Sequence, residues 1–269
     1  MRKFILSLAI FIVLLLASAI FLPYLFKDKI IEVVKVEANK SLKAKLDFNN
    51  NISINIFKSF PNLNLGFKDV EIVYPTGTFK NDTFMSAGKI EVSMDLMKFY
   101  KEQRYVIKSI NLNQPNLNLE LKNDSVYNWD IVKASTEAED TTRKPYNLEI
   151  ESFKISEGNF TYTDIEGNLI TNLKNINHTS SGTFNPEKLI LASNTDIDEF
   201  LVNYDGVAYV NRWKLTQIGN IDVNLKDEIY GFSKNELTIN GLPTTLDGDL
   251  RFVGDDMVFD IAAASSTPD

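Results

Sequence analysis

The chain has 269 residues, a net charge of −8, 44% hydrophobic and 24% charged residues, no cysteine and one histidine. It is long enough for one or two domains with a sizeable core. The composition excludes a disulfide framework and metal sites built on several imidazoles. The charge is divided: residues 1–45 hold eight Lys/Arg and three Asp/Glu, and the remainder holds 20 basic and 33 acidic residues. The acidic body would repel a phosphate backbone, which excludes a nucleic-acid partner.

Arg2 and Lys3 precede an apolar run from Phe4 to Phe26. At about 1.5 Å per residue such a helix spans roughly 34 Å, enough for a hydrocarbon core of about 30 Å. Ala17-Ser18-Ala19 also fits a signal-peptidase site, and a mature protein starting at Ile20 would mean cleavage. The run continues past that site, so residues 1–26 are expected to form a single-pass anchor. The short basic tail places the N-terminus inside and the body outside.

Residues 27–45 follow with Ile30, Val34, Ala38 and Leu42 at every fourth position and Ile31 beside them, which predicts a short amphipathic helix. Lys27, Lys29 and Lys35 either touch anionic headgroups or belong to a helix that only caps the first strand.

From Leu46 the period becomes two, as in half-buried strands. Leu46, Phe48, Ile52, Ile54 and Ile56 alternate with polar residues. So do Leu63, Leu65 and Phe67, then Ile90, Val92, Met94 and Leu96, and then Leu117, Leu119 and Leu121. The pentapeptide PNLNL occurs at 61–65 and 115–119, and EGNFTY at 157–162 is a disguised copy at an offset of 43. A four-residue turn at Asn113–Asn116 would oppose Leu112 to Leu117 and Ile110 to Leu119. The same geometry would oppose Ile155 to Phe160, Phe153 to Tyr162, Ile56 to Leu65 and Ile54 to Phe67. Opposed residues share a face, so each copy reads as a hairpin with one apolar side.

Residues 133–147 are charged and poor in apolar residues, and are expected to form a flexible loop. Beyond it strand-like alternation returns at Ile221, Val223 and Leu225, at Leu237 and Ile239, and at Leu250 and Phe252. A short helix near Asp196–Leu201 would be the exception. Asp247-Gly-Asp249 reads as a hairpin turn.

No phosphate loop or dinucleotide fingerprint is present. Asn194, Asp196 and Asp198 have calcium-loop spacing, but Glu199 stands where glycine is needed, so a solvated loop is the simpler reading. His178 lies in the polar stretch NINHTSSG and is expected at the surface. Trp129 reads as a hairpin-packing aromatic. No catalytic residue, metal ligand or cofactor is nominated, and no enzymatic activity is expected. A sheet with one long apolar face must cover it. The choices are a closed two-sheet sandwich, or an open sheet that holds lipid chains; an adjacent membrane anchor favours the second.

The order of segments, an apolar N-terminus, a short helix, then INIFKSFPNLNLGFKDVEI, SINLNQPNLNLEL, VYNWDIV and EGNFTYTDIEGNLITNLKNI, resembles the AsmA-like family of bacterial envelope proteins over roughly residues 1–200. The resemblance implies an inner-membrane anchor at residues 4–26, a body in the periplasm, and an elongated, curved, groove-like antiparallel β-sheet. It also implies membership of the bridge-like lipid-transfer group, with phospholipid acyl chains as cargo and outer-membrane or other envelope proteins as partners. The mainly β chain is thus expected to divide into an anchor (1–26), a juxtamembrane helix (27–45), a first sheet unit (46–132), a loop (133–147) and a second unit (148–269). Members of the family are longer, so the sheet is expected to continue past Asp269. The groove would be lined by Ile52, Ile54, Ile56, Leu63, Leu65, Phe67, Ile110, Leu112, Leu117, Leu119 and Leu121. The alternative function is a non-lipid envelope scaffold or assembly factor with a closed sandwich core.

Overall fold

The computed structural model describes residues 27–56, 60–102, 104–123, 125–133, 148–184, 188–224, 226–253 and 256–265. The expected anchor, and residues 134–147 of the expected loop, lie outside them. No helix among the described residues is long and apolar enough to cross a membrane.

Helix α1 covers residues 27–41. Twelve strands follow: β1 (Lys45–Asn55), β2 (Asn62–Val73), β3 (Thr83–Asp95), β4 (Tyr105–Asn123), β5 (Val126–Tyr127), β6 (Leu148–Asp164), β7 (Leu169–Phe184), β8 (Lys188–Tyr204), β9 (Val207–Asn224), β10 (Ile229–Ile239), β11 (Leu242–Val253) and β12 (Asp256–Ser265). A second helix, α2 (Leu96–Glu102), separates β3 from β4. The strands form one sheet in the order β1-β2-β3-β4-β6-β7-β8-β9-β10-β11-β12, with β5 beside β4. Among the described residues each strand pairs only with its neighbours in that order, apart from β5 on β4. The sheet is therefore open, and the two-sheet sandwich is not formed. The segments 46–132 and 148–269 meet in this sheet through β4 and β6.

That junction corrects the hairpin reading. Residues 110–121 do not fold back at Asn113–Asn116; they lie inside the single long strand β4. Residues 153–162 likewise lie inside β6. The two strands run parallel, the one departure from an antiparallel sheet, with Ile110 beside Phe153, Leu112 beside Ile155, Leu117 beside Phe160 and Leu119 beside Tyr162. The repeat offset of 43 is thus the lateral register of two neighbouring strands. The first copy is a true hairpin, in a different register from the expected one: Ile54 pairs with Leu65 rather than with Phe67.

Leu112 and Leu117 nonetheless share a face, because the backbone passes through the left-handed region at Gln114 and reverses the alternation there, in unbroken register with both neighbouring strands. The Gln114 φ is +51°, the left-handed region that ordinary strand residues avoid. Asp69, Glu157 and Asn175 have φ of +51°, +55° and +51°. Asp69 lies opposite Gly88, and Gly88 opposite Gln114. Glu157 neighbours Gln114, and Asn175 lies opposite Asp198. The irregularities therefore form one row across β2 to β8. A left-handed residue breaks the pleat of its strand and bends it, and a row of them bends the sheet as a whole. The abundant Asn and Asp fit this role, since their short polar side chains tolerate left-handed backbone. Their side chains also link along the row. Asn49 donates to Asp69 (3.2 Å), Gln114 to Glu157 (2.8 Å) and Asn159 to Asn116 (2.8 Å), and Asn175 bonds to Asp198.

Local signals account for the ends. Leu96 was expected to extend β3, but the carboxylate of Asp95 accepts from the Met97 (2.9 Å) and Lys98 (3.0 Å) amides and caps α2 instead. These amide bonds, that from Lys98 first, hold the Asp95 carboxyl below the usual carboxylate range. Residues 196–201 are strand in β8, not helix, and Asp247–Asp249 lie inside β11, not in a turn.

Helix α1 lies over β1 to β3. Ile31 packs with Phe48, Ile52, Val70 and Ala87, joined by Ile30, Val34, Leu46, Ile54, Phe67 and Ile90. Phe48 meets Phe67 edge-on at 5.0 Å. Lys35 is engaged within the fold. Its ammonium donates to Asp47 (2.6 Å), the Phe48 carbonyl (2.8 Å) and Asn50 (2.9 Å), and sits 4.6 Å from the Phe48 ring. The Lys35 hydrogen bond chiefly holds the Asp47 carboxyl low. Asn39 makes a reciprocal pair with the Leu46 backbone, at 2.9 and 2.7 Å. Lys133 donates to the Asn39 and Lys40 carbonyls, 3.1 Å each, satisfying acceptors at the helix C-terminus.

Candidate functional site

Cross-strand pairing assigns the faces of the sheet. One face carries Leu63, Leu65 and Phe67 on β2, opposite Met94, Val92 and Ile90 on β3. Ile90 and Val92 continue to Leu112 and Ile110 on β4, and these to Ile155 and Phe153 on β6. The other face carries cross-strand ion pairs such as Lys108–Glu151 (2.7 Å) and Lys214–Asp198 (3.4 Å). Asn194, Asp196 and Asp198 point there from β8 rather than forming a loop, paired to Thr179, Asn177 and Asn175 of β7.

Ten of the eleven expected lining residues fall on the apolar face, at unequal depth. Ile52, Ile54 and Phe67 are covered by α1. Leu117 and Leu119 are covered by a second cluster of Ala44, Tyr74, Phe79 and Phe84. Leu63, Leu65, Ile110 and Leu112 are half-buried and lie toward the strand end away from the second cluster, and Leu121 lies beside Tyr127. Ile56 is half-buried just past the end of β1. Leu119→Asp would therefore strike a packed cluster and does not test an open surface.

The uncovered part of the face lies further along the sheet, where the sequence reading nominated no site residue. Phe160, Leu173, Phe200 and Trp213 line up across β6 to β9. Leu191, Ile221 and Phe232 line up across β8 to β10, as do Leu189, Val223 and Tyr230. Leu250 and Phe259 carry the face onto β11 and β12. Trp213 is 37% exposed and Phe259 66%. Ile197 and Val223 are buried here without any helix or second sheet above them among the described residues, so neighbouring side chains of the same curved sheet supply their cover. The alternation that places these residues was visible at 153–162, 221–225 and 237–239. What could not be seen was that the earlier hairpins would be roofed and the later strands not.

His178 is not the surface residue expected. It sits half-buried on the apolar face, opposite Ile155, with its ring 6.1 Å from that of Phe153. Burial pushes its pKa below the ordinary 6.5, since desolvation disfavours the imidazolium. A depressed histidine contributes stability that is fully present above the unfolded pKa of about 6.5 and is lost as pH falls toward the folded value. Denaturation of the wild-type chain is thus expected at lower denaturant at pH 5.5 than at pH 7.5, and His178→Gln should shrink that difference. An equal difference in both proteins would show that other groups carry it.

Trp129 stacks on Tyr127 at 4.8 Å and leans toward Tyr162 at 6.2 Å, so it packs at a strand end beside β4 and β6. No cluster of three or more metal-ligating side chains occurs among the described residues.

The AsmA family model matches residues 1–250. No curated protein and no solved structure matches the chain. The match runs through nearly all of a chain whose strands make one large curved sheet, and the chain belongs to the AsmA family.

Proposed function

We propose that this protein is a lipid-binding and transfer protein of the bacterial envelope, anchored in the inner membrane by residues 4–26, with its sheet in the periplasm. The apolar face holds phospholipid acyl chains on their way between inner and outer membranes, and the protein supports envelope integrity by that traffic. One observation carries the reading: the apolar face continues over β6 to β12 with no covering element among the described residues. An exposed apolar surface of this extent marks a binding surface in a folded protein. Family membership supports the same reading.

The mechanism is passive. An acyl chain leaving a bilayer for this face exchanges one apolar surface for another, at about 25 cal/mol per Å² on either side. Net affinity at any position is small, and movement along the face meets low barriers. The polar face and its ion pairs keep the other side in water.

A photo-reactive phenylalanine analogue separates the faces. Placed at Trp213, on the apolar face, it is expected to yield phospholipid adducts in intact cells; at the adjacent Lys214, on the polar face, it should yield none. Equal adducts at both positions, or none at Trp213, would overturn the proposal.

A further inference from the structure

The apolar face carries an island of neutral polar side chains on β7 to β10. Ser180 and Ser193 form one level, with Gly219 beside them; His178, Thr195 and Gln217 form the next. Asn235 of β10 leans over Gly219, where an added Cβ would lie 2.4 Å from its Oδ1. Four strands at about 4.8 Å and one side-chain repeat make the island roughly 14 Å by 7 Å. It is bordered by Phe153 and Ile155 on β6, by Leu191 and Ile221 toward one strand end, and by Ile197 and Leu215 toward the other.

Its side chains form one directed chain of hydrogen bonds. The Gln217 Oε1 accepts from the hydroxyls of Ser193 and Thr195, 3.0 Å each. The Gln217 Nε2 donates to Asn235 Oδ1 (2.6 Å), and the Asn235 amide donates to the Asn220 (2.9 Å) and Ser233 (3.2 Å) carbonyls. Thr195 has one hydroxyl proton, and Gln217 takes it. The 2.8 Å contact between His178 Nδ1 and Thr195 Oγ1 must then be donated by His178. A neutral imidazole with its proton on Nδ1 presents Nε2 as an acceptor. Gln217 Nε2 keeps a second N–H, and Ser180 adds a hydroxyl. No charged side chain stands on this face at the levels of the island and of the residues bordering it among the described residues, so the island suits neither a phosphate nor a carboxylate.

We propose that this island is a binding site for the neutral, hydroxyl-bearing part of a lipid, which donates to His178 Nε2 and accepts from the Gln217 amide or the Ser180 hydroxyl while its chains lie on the flanking apolar residues. The inference rests on the lipid-carrying reading above and gives that surface a stopping point. A bare hydrocarbon chain crossing the island leaves its polar groups without a partner from the ligand, whereas a hydroxyl there supplies one.

The test uses the full chain in lipid nanodiscs, in a Trp129→Phe background that leaves Trp213 as the one tryptophan of the chain. Energy transfer from Trp213 is measured to a pyrene-labelled long-chain alcohol and to the matching pyrene-labelled alkane, at equal bilayer concentration. The alcohol is expected to bind about tenfold more tightly. Thr195→Val with Gln217→Leu should erase that preference and leave alkane binding unchanged. If strand circular dichroism falls in that double variant, His178→Leu removes the terminal acceptor together with the bond to Thr195 and should weaken the alcohol alone. Equal binding of the two probes by the wild type, or a preference that survives both substitutions, would reduce the island to a device that fixes strand register. Absence of transfer to either probe would remove the lipid-carrying reading itself, and the site with it.

Discussion

Deleting Gln114 is expected to abolish the fold. With that left-handed residue gone, β4 loses its reversal of alternation and slips one residue against β3 and β6, so that Leu117, Leu119 and Leu121 turn to the polar face while Asn116, Asn118 and Glu120 turn to the apolar one. Each leucine that loses its cover forfeits up to about 1.5–3 kcal/mol, and Leu117 and Leu119 belong to the cluster around Tyr74 and Phe79. Together that approaches the whole stability of a typical domain, about 5–15 kcal/mol. Gln114→Gly is the matched control. Glycine enters the left-handed region without a Cβ penalty, and the substitution removes only one exposed hydrogen bond, to Glu157. It should change stability by less than about 1 kcal/mol. A deletion variant that stays soluble and unfolds at the wild-type midpoint would show that the row of left-handed residues does not set the faces.

Phe48→Ala has the next largest expected effect. Phe48 is buried beneath α1, against the Phe67 ring and beside the Lys35 ammonium. Truncating a buried phenylalanine costs about 3–5 kcal/mol, and here the loss falls on the contact that holds the helix to the sheet. Amide exchange over residues 30–41 should rise by orders of magnitude, while exchange in β7 and β8 stays slow. Unchanged protection in α1 would mean that the helix is held by Asn39 and Lys133 instead.

The sequence displayed the alternation but not its topology. Leu112 and Leu117 are five residues apart, an odd number, and still share a face. A tight hairpin satisfies that parity, and so does one left-handed residue within a continuous strand. Local pattern cannot choose between them. The choice is made by β3 and β6, which pair along both halves of β4 and need it continuous. The offset of 43 was legible as a repeat; only the lateral pairing showed it to be a register. The α1 stripe at Ile30, Ile31 and Val34 was readable at once. Its partner surface was not, because Lys35 looked free for headgroups until Asp47 and Asn50 were seen to claim it. His178 was misread for a similar reason. Its sequence neighbours are polar, but in a strand a residue belongs with those across from it, and these include Ile155. The same holds for Gln217 and Asn235, whose meeting depends on the irregular β9–β10 pairing near Lys234.

The parallel contact between β4 and β6 bears on reach. Two stretches of matching pattern lie side by side rather than end to end, so repetition here widens the sheet without lengthening any strand. Eleven strands in the path, at about 4.8 Å each, give a surface roughly 48 Å across. That already exceeds the thickness of a bilayer's hydrocarbon core, about 30 Å. Every added strand pair would extend the track by about 10 Å without altering the residues that hold the cargo. Span and chemistry are thereby set by separate features, strand count for the first and alternation within each strand for the second.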